Sequence, residues 1–253
     1  MIKLIRPEKP EKLSQDELAL TAQFKQDGST VWRKKYIVEA LAAMSNSKCC
    51  YCETKLGEQA KNLQVEHYHC KSLYPDEVVK WENLLPACGQ CNTNKGSHDT
   101  YVEPIINPSA EDPKDYLYLK YYRITSKDNG IDSKGRFTIN LLGLNDRKRL
   151  VNPRIEIAEQ MKNKLENIYE RAVKWQSGEN TSQINKNRVR NGIKDILELA
   201  QPEAEYSAFM ATIILNDEDY LEAKKFLITQ KCWNIELQVL EDSAKNIKLD
   251  IQK

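Results

Sequence analysis

The chain has 253 residues, a length that favours one domain or two domains of about 100 to 150 residues each. Its composition, with 40% hydrophobic and 30% charged residues and a net charge of +1, excludes a disordered chain and by itself indicates no nucleic-acid, membrane or acidic partner. No apolar run approaches the ~18 residues of a transmembrane helix, and the start, MIKLIRPEKPEKL, lacks an apolar signal core, so we expect a cytoplasmic protein without membrane contact.

The first half of the chain predicts a helix, a strand and a short second helix. Trp32, Tyr36, Leu41 and Met44 recur at helical spacing and predict a helix over 29–44. The sequence NLQVEH at 62–67 alternates polar and apolar residues, which is typical of a strand. The stretch 81–94 then crosses a turn into a short helix.

The middle of the chain changes character. Three prolines and one asparagine lie within 104–113, which indicates a loop or linker. The turn signal Asn129-Gly130 precedes RFTINLLGL, and together they predict a strand at 136–144.

Four amphipathic helices are predicted for the second half: one after Pro153, one at about 183–199, one after Pro202 and one at about 218–229. The apolar residues of these helices predict core packing. We divide the chain into an N-terminal helical segment (1–44), a central module (45–105), a linker with a short β region (106–145) and a C-terminal helical domain (146–253).

The small net charge conceals an uneven distribution. Residues 146–195 carry 12 lysines and arginines against 7 acidic residues, whereas 196–253 carry 6 against 11. The basic stretch could bind nucleic-acid phosphates, dock an acidic partner surface or simply be solvated. Its candidate contact residues are Arg147, Lys148, Arg149, Arg154, Lys186, Arg188 and Arg190.

Six of the seven cysteines lie between positions 49 and 91. Cys49 and Cys52 form one C-x-x-C pair, and Cys88 and Cys91 form another; two such pairs provide the four thiolates of a structural zinc site. Spacing leaves open whether Cys49 or Cys50 is the ligand. The alternative is a group of buried, reduced cysteines without metal.

The residues between and after the two pairs suit phosphodiester hydrolysis. His67, neutral near pH 7, can deprotonate a water molecule. Glu66 and Asn92 are a carboxylate and an amide, oxygen donors that suit Mg²⁺ with several retained waters. Lys95 could neutralise the phosphate. Asn83 lies in the segment W-E-N-L-L and could instead merely cap a turn.

The pattern C-x-x-C, a strand ending E-H, then N-L-L and C-x-x-C-N-x-x-K resembles the HNH endonuclease superfamily. The resemblance implies an α+β chain in which a zinc-stapled ββα-metal module lies within mainly α-helical surroundings. It implies that His67 is the general base, that Asn83 holds the loop of the base, and that Glu66 and Asn92 bind a catalytic Mg²⁺ or Mn²⁺ ion. The third motif position is often histidine, so this would be an H-N-N variant.

Further segments resemble one group more closely: the HNH nuclease subunit of Septu-type and retron-linked anti-phage systems. These segments are I-x-L-I-R-P, C-C-Y-C-E, V-E-H-Y-H-C-K-S-L-Y-P, W-E-N-L-L and I-N-P, and they cover about residues 1–110. This resemblance implies an ATPase partner, a nucleic-acid substrate (DNA favoured, RNA possible) and a possible homo-oligomer within the complex. No Walker A motif occurs in the chain, so ATP would bind the partner.

Two histidines and two alternative functions stay open. His69, next to Cys70 where the group often has Arg-Pro, should point to the same strand face as His67 and contact substrate or lie on the surface. His98 is expected in a loop. The alternatives to a defence-complex nuclease are a non-catalytic zinc-stabilised subunit that binds nucleic acid or protein, and a stand-alone restriction-type nuclease.

Overall fold

The computed structural model describes residues 1–57, 62–127 and 133–252 and shows a mixed α+β protein that is mostly helical. The chain divides into two compact units, the first comprising Met1–Leu117 and Ile124–Asn145 and the second Tyr118–Arg123 and Asp146–Lys253. Within the described ranges, no helix combines the length and apolar character needed to cross a membrane.

The first unit carries a strand–strand–helix sequence at its centre. Its helices are α1 (Glu11–Asp27), α2 (Lys35–Met44), α3 (Gly89–Lys95) and α4 (Lys134–Leu142), and its hairpin consists of β1 (Gln64–His67) and β2 (Leu84–Ala87). The two strands are antiparallel, with Gln64 opposite Ala87 and His67 opposite Leu84. Helix α3 begins two residues after β2, so the chain passes directly from the hairpin into this helix.

The hairpin is buried because apolar residues follow one another along β2. All four β2 residues are buried, and only Gln64 of β1 is exposed. The N-terminal segment fixes the start of β2: Arg6 donates to the Trp81 carbonyl oxygen at 2.6 Å and to the Leu84 carbonyl oxygen at 3.0 Å. The N-terminal segment thus holds the start of β2, which lies opposite His67 at the end of β1.

The second unit is built mainly from helices. They are α5 (Asn152–Gln176), α6 (Gln183–Glu198), α7 (Ser207–Ile214), α8 (Glu218–Thr229) and α9 (Ile235–Ile247). Strands β3 (Leu117–Lys120) and β4 (Arg123–Ser126) lie where the chain passes between the units, and β5 (Asp250–Ile251) pairs in parallel with β3. The four helices predicted for this half are confirmed, with apolar faces in the core as expected, whereas α9 and α1 are absent from the prediction.

The strand predicted at 136–144 is wrong, because this segment forms α4. The Ser133 side chain accepts a hydrogen bond from the Arg136 amide and so caps the start of the helix. Gly143, with a φ of 61°, ends it in the left-handed conformation that glycine adopts without strain. The turn signal Asn129-Gly130 lies outside the described residues. The segment 81–94 also contains β2, which the prediction missed.

Candidate functional site

The four predicted zinc cysteines converge in the first unit. The Sγ atoms of Cys49, Cys52, Cys88 and Cys91 all lie within 4.8 Å of one another. The first pair lies in a tight turn closed by the Cys49 amide, which donates to the Thr54 carbonyl oxygen at 2.9 Å. The second pair opens α3, where the Cys88 sulfur accepts from the Cys91 amide at 3.4 Å. The four cysteines therefore form a cluster that could hold a metal ion such as zinc.

The distance between two of the sulfurs agrees with a tetrahedral zinc site. A Zn–S bond of about 2.3 Å places neighbouring sulfurs of a tetrahedral site about 3.8 Å apart, and the Cys52 and Cys88 sulfurs are 3.8 Å apart. Hydrogen bonds from the other three thiols lower the pKa of Cys52, whereas burial raises the pKa of Cys49. A bound dication would favour the thiolate form of all four cysteines, since metal binding releases the thiol protons. Cys50 lies outside this set of four, so the open choice falls on Cys49.

Glu66 and Lys95 form a buried ion pair beside the cluster. The Lys95 Nζ atom lies 2.8 Å from Glu66 Oε1 and also donates to the His67 carbonyl oxygen at 2.8 Å. Both side chains are almost fully buried. Burial raises the pKa of Glu66 to about 7, in spite of the opposing charge of Lys95. The phosphate contact predicted for Lys95 does not agree with this geometry, because the Lys95 ammonium is buried and links α3 to β1.

His67 ends β1 with its ring held in one orientation. Its Nε2 atom lies 2.8 Å from the Val78 carbonyl oxygen, and Trp32 packs edge-on with ring centroids 5.0 Å apart. Because a carbonyl only accepts, Nε2 carries the proton and Nδ1 keeps a lone pair. Burial lowers the pKa of His67 to about 3, so the ring is neutral at physiological pH.

Asn83 clamps the loop that follows β1. Its Oδ1 atom accepts from the His69 amide at 2.6 Å, and its Nδ2 atom donates to the carbonyl oxygens of His69 at 3.0 Å and Glu77 at 3.1 Å. The side chain is buried, so these bonds satisfy polar groups that water does not reach. Asn83 therefore holds the loop between His69 and Glu77 and is more than a turn cap.

Asn92 lies on the first half of α3, half-buried. Its Nδ2 atom donates to Gln64 Oε1 at 2.7 Å, which leaves its Oδ1 atom as an acceptor. Lys95 contacts one carboxylate oxygen of Glu66 and leaves the other as a donor. Carboxylates that bind metal ions commonly have a hydrogen-bonding neighbour of this kind. The amide oxygen of Asn92 and a carboxylate oxygen are hard donors of the kind that Mg²⁺ and Mn²⁺ prefer.

Lys71 is a cation of this region that the sequence analysis did not single out. Its Nζ atom lies 5.1 Å from the centre of the Trp32 ring, and its charge adds to the larger effect of burial in lowering the pKa of His67. It lines an open pocket of about 240 Å³ together with Asn92 and Gly96. Lys71 follows the E-H pair closely in sequence, and this proximity was the available signal.

The remaining histidines have different surroundings. Strand β1 ends at His67, so strand alternation does not extend to His69, which stacks on Tyr101 with ring centroids 3.6 Å apart. His98 lies in a loop, as expected, with Nε2 2.6 Å from the Glu103 carbonyl oxygen.

One residue of the predicted basic stretch is not at the surface. Arg154 is buried, with its guanidinium 5.8 Å from the centre of the Tyr206 ring. A side chain packed inside the second unit cannot contact a phosphate, so Arg154 leaves the set of candidate nucleic-acid contacts.

Comparison with known proteins identifies the family. No family model matches the sequence. The chain is 41% identical over 251 residues to Septu protein PtuB of Bacillus thuringiensis, an alignment that covers 99% of this chain and 96% of that protein. Similarity at this level over nearly the full length of both chains is specific. The protein therefore belongs to the family of Septu protein PtuB.

Proposed function

We propose that this protein is a metal-dependent endonuclease of the HNH type that hydrolyses phosphodiester bonds, with DNA as the favoured substrate. The observation that carries the proposal is the state of His67: a neutral imidazole, fixed by the Val78 carbonyl oxygen, whose Nδ1 lone pair is left to accept a proton. This residue ends β1 of a strand–strand–helix sequence, with Glu66 beside it and Asn92 on the following helix.

In this proposal His67 is the general base. Its Nδ1 atom removes a proton from a water molecule as the water oxygen attacks the phosphorus atom. The carbonyl oxygen of Val78 orients the ring and stabilises the imidazolium that forms. Because burial lowers the pKa of His67, the ring is neutral before the reaction and can accept the proton of the water molecule.

Two residues and the four-cysteine cluster position the base and its neighbour. Asn83 holds the loop after β1 through three hydrogen bonds. Lys95 ties the carboxylate of Glu66 to the backbone of His67, so it acts through these groups and not on the phosphate. The four-cysteine cluster would hold zinc and fix the turn before β1 to the start of α3.

The phosphate would lie at the open pocket between Lys71 and Asn92. Lys71 supplies the positive charge that the sequence analysis assigned to Lys95. Glu66 and Asn92 would hold an Mg²⁺ or Mn²⁺ ion, which when bound supplies charge stabilisation for the departing 3′ oxygen.

Family membership supports a role in Septu-type anti-phage defence. We propose that the protein is the nuclease subunit of such a system and that an ATPase subunit is its partner, with more than one copy possible in the complex. Nucleotide binding is assigned to the partner because the sequence lacks a Walker A motif.

The proposal is tested by expressing the protein with its genomic neighbours and purifying what associates with it. We expect an ATPase to co-purify and the zinc-loaded complex to cut DNA only when Mg²⁺ or Mn²⁺ is added. A complex that cuts neither DNA nor RNA with these ions would favour a non-catalytic binding subunit. Cleavage by the isolated chain at the rate of the complex would favour a stand-alone nuclease.

A further inference from the structure

A second polar site lies in the first unit beside the clamped loop. His69 and Tyr101 stack face to face, with ring planes 6° apart and centroids 3.6 Å apart. Tyr74 packs edge-on against Tyr101 at 4.8 Å. Tyr101 is nevertheless 55% exposed, so the stack presents an aromatic surface to solvent. A rigidly held, exposed aromatic ring is suited to stacking against another planar group.

The hydrogen bonds of His69 determine its tautomer. Thr100 donates its hydroxyl proton to the Tyr68 carbonyl oxygen at 2.8 Å. The Thr100 hydroxyl oxygen must therefore accept a hydrogen bond from His69 Nδ1, which is also 2.8 Å away. The proton of His69 is therefore on Nδ1, and Nε2 remains an acceptor. Burial lowers the pKa of His69, which keeps this neutral form at physiological pH.

Glu77 adds a second acceptor. Its Oε1 atom accepts from the Tyr101 hydroxyl and from Lys80 Nζ, both at 3.0 Å. Its Oε2 atom is buried and has no hydrogen-bond partner among the described residues. Leaving a buried carboxylate oxygen unpaired is unfavourable, and a ligand with a donor group would remove this cost.

The two acceptors share one pocket. His69 and Glu77 both line a cavity of about 320 Å³, within the usual size range of small-ligand sites. The pocket is also lined by Arg6, Lys80 and Glu82, so its cations and carboxylates balance. A ligand that fits these features is planar and donates hydrogen bonds.

We propose that His69, Glu77 and Tyr101 form a subsite for one unpaired, amino-bearing nucleobase of the substrate strand, an assignment that rests on the proposed nuclease function. The base stacks on the exposed face of the His69–Tyr101 pair, and its exocyclic amino group donates to the carboxylate of Glu77, which lies at the edge of the Tyr101 ring. Adenine and cytosine carry such a group, whereas thymine presents carbonyl oxygens. A base that stacks in this way is unpaired, so the part of the substrate strand bound here is single-stranded.

The experiment measures binding of short fluorescent oligonucleotides to the zinc-loaded full-length chain by anisotropy. No Mg²⁺ or Mn²⁺ is added, so the probe stays uncut and binding is measured independently of cleavage. The probes are single-stranded oligo-dC, oligo-dT, oligo-rC and a matched duplex. We expect oligo-dC to bind more tightly than oligo-dT and than the duplex; oligo-rC binding more tightly than oligo-dC would make RNA the substrate strand.

Substitutions then test each contact. Tyr101→Ala should weaken oligo-dC binding ~10-fold, as expected for one lost stacking interaction, whereas Tyr101→Phe keeps the ring and should stay within about 2-fold. Glu77→Gln replaces the unpaired acceptor by an amide donor and should shift the preference towards oligo-dT. Tyr121→Ala is the matched control, since Tyr121 is an 81% exposed tyrosine without a stacked ring among the described residues.

Three results would overturn the subsite: unchanged oligo-dC binding in Tyr101→Ala, duplex binding as tight as single-strand binding, or no binding of either strand type. His67→Ala separates this result from the proposed nuclease function. If the subsite is right, that variant retains Tyr101-dependent binding whether or not the unsubstituted protein proves to be a nuclease.

Discussion

The two compact units bury different kinds of side chain. In the described part of the first unit, the buried groups include the four-cysteine cluster, the Glu66–Lys95 pair, His67 and Asn83. In the described part of the second unit, the core consists mainly of apolar helix faces, such as the face of α5 that carries Met161, Leu165 and Ile168. Buried polar groups require specific partners, whereas apolar faces require only volume and spacing. The first unit should therefore be sensitive to single-atom changes, and the second to lost volume.

The largest effect is expected at the cysteine cluster. Cys49→Ala should abolish zinc binding and unfold the first unit, because a four-thiolate zinc site contributes about 10–16 kcal/mol of folding free energy. Cys50→Ala, at the adjacent buried thiol outside the cluster, should keep zinc and cost only about 1 kcal/mol. Zinc analysis with hydrogen exchange measures both. Equal zinc content in the two variants would contradict the ligand assignment.

The second unit should respond to lost volume. Leu165 is fully buried on α5, and Leu165→Ala should lower the free energy of unfolding of this unit by about 2–5 kcal/mol. Zinc content should not change. Leu221→Ala, at a half-exposed position of α8, should change the stability by less than about 0.5 kcal/mol. Hydrogen exchange of the helical amides reports the difference; similar losses in both variants would refute the described core.

The loop clamp should be sensitive to the loss of polar atoms alone. Asn83→Ala removes three hydrogen bonds and leaves the His69 amide without its partner, which should cost about 1–3 kcal/mol. Amides in the loop 69–77 should exchange faster, and cleavage should slow because the loop of the base loosens. Asn94→Ala, which removes a hydrogen bond to the Leu142 carbonyl oxygen and one from Gln90 but none in this loop, serves as the comparison. Unchanged hydrogen exchange of these amides in Asn83→Ala would show that Asn83 does not hold the loop.

The smallest effect is expected at the carboxylate of Glu241 in the second unit. Burial tends to raise its pKa, but hydrogen bonds from Lys224, Lys245 and Tyr220 outweigh burial and lower it. A lowered pKa stabilises the fold above the ordinary glutamate value of about 4.3, and this contribution is lost as the pH falls through the folded-state value. Glu241→Gln should therefore be less stable than the unsubstituted protein at pH 7, by about 1 kcal/mol. Denaturant unfolding at pH 7 and in acid should show this gap closing; a gap that widens in acid would contradict the assignment.

The same contrast explains what sequence could predict. The cysteine spacing identified the four-cysteine cluster because metal ligands need particular residues at particular intervals. Helical periodicity located four helices of the second unit, but it missed α9 and α1, and α4 was taken for a strand although Ser133 and Gly143 flank it as caps. The inward direction of Lys95 and the His69–Tyr101 stack depend on contacts between distant segments, which no local pattern contains.

The proposed base is the central claim, and a pair of histidine variants tests it most directly. Cleavage by the zinc-loaded complex with Mg²⁺ should fall by a factor on the order of 100 or more in His67→Ala, the usual contribution of a general base. His98→Ala, at a loop histidine with its ring on the Glu103 carbonyl oxygen, should cleave within about 2-fold of the unsubstituted rate. Both variants should retain zinc. Full cleavage by His67→Ala would contradict the account, since no other group is assigned to activate the water.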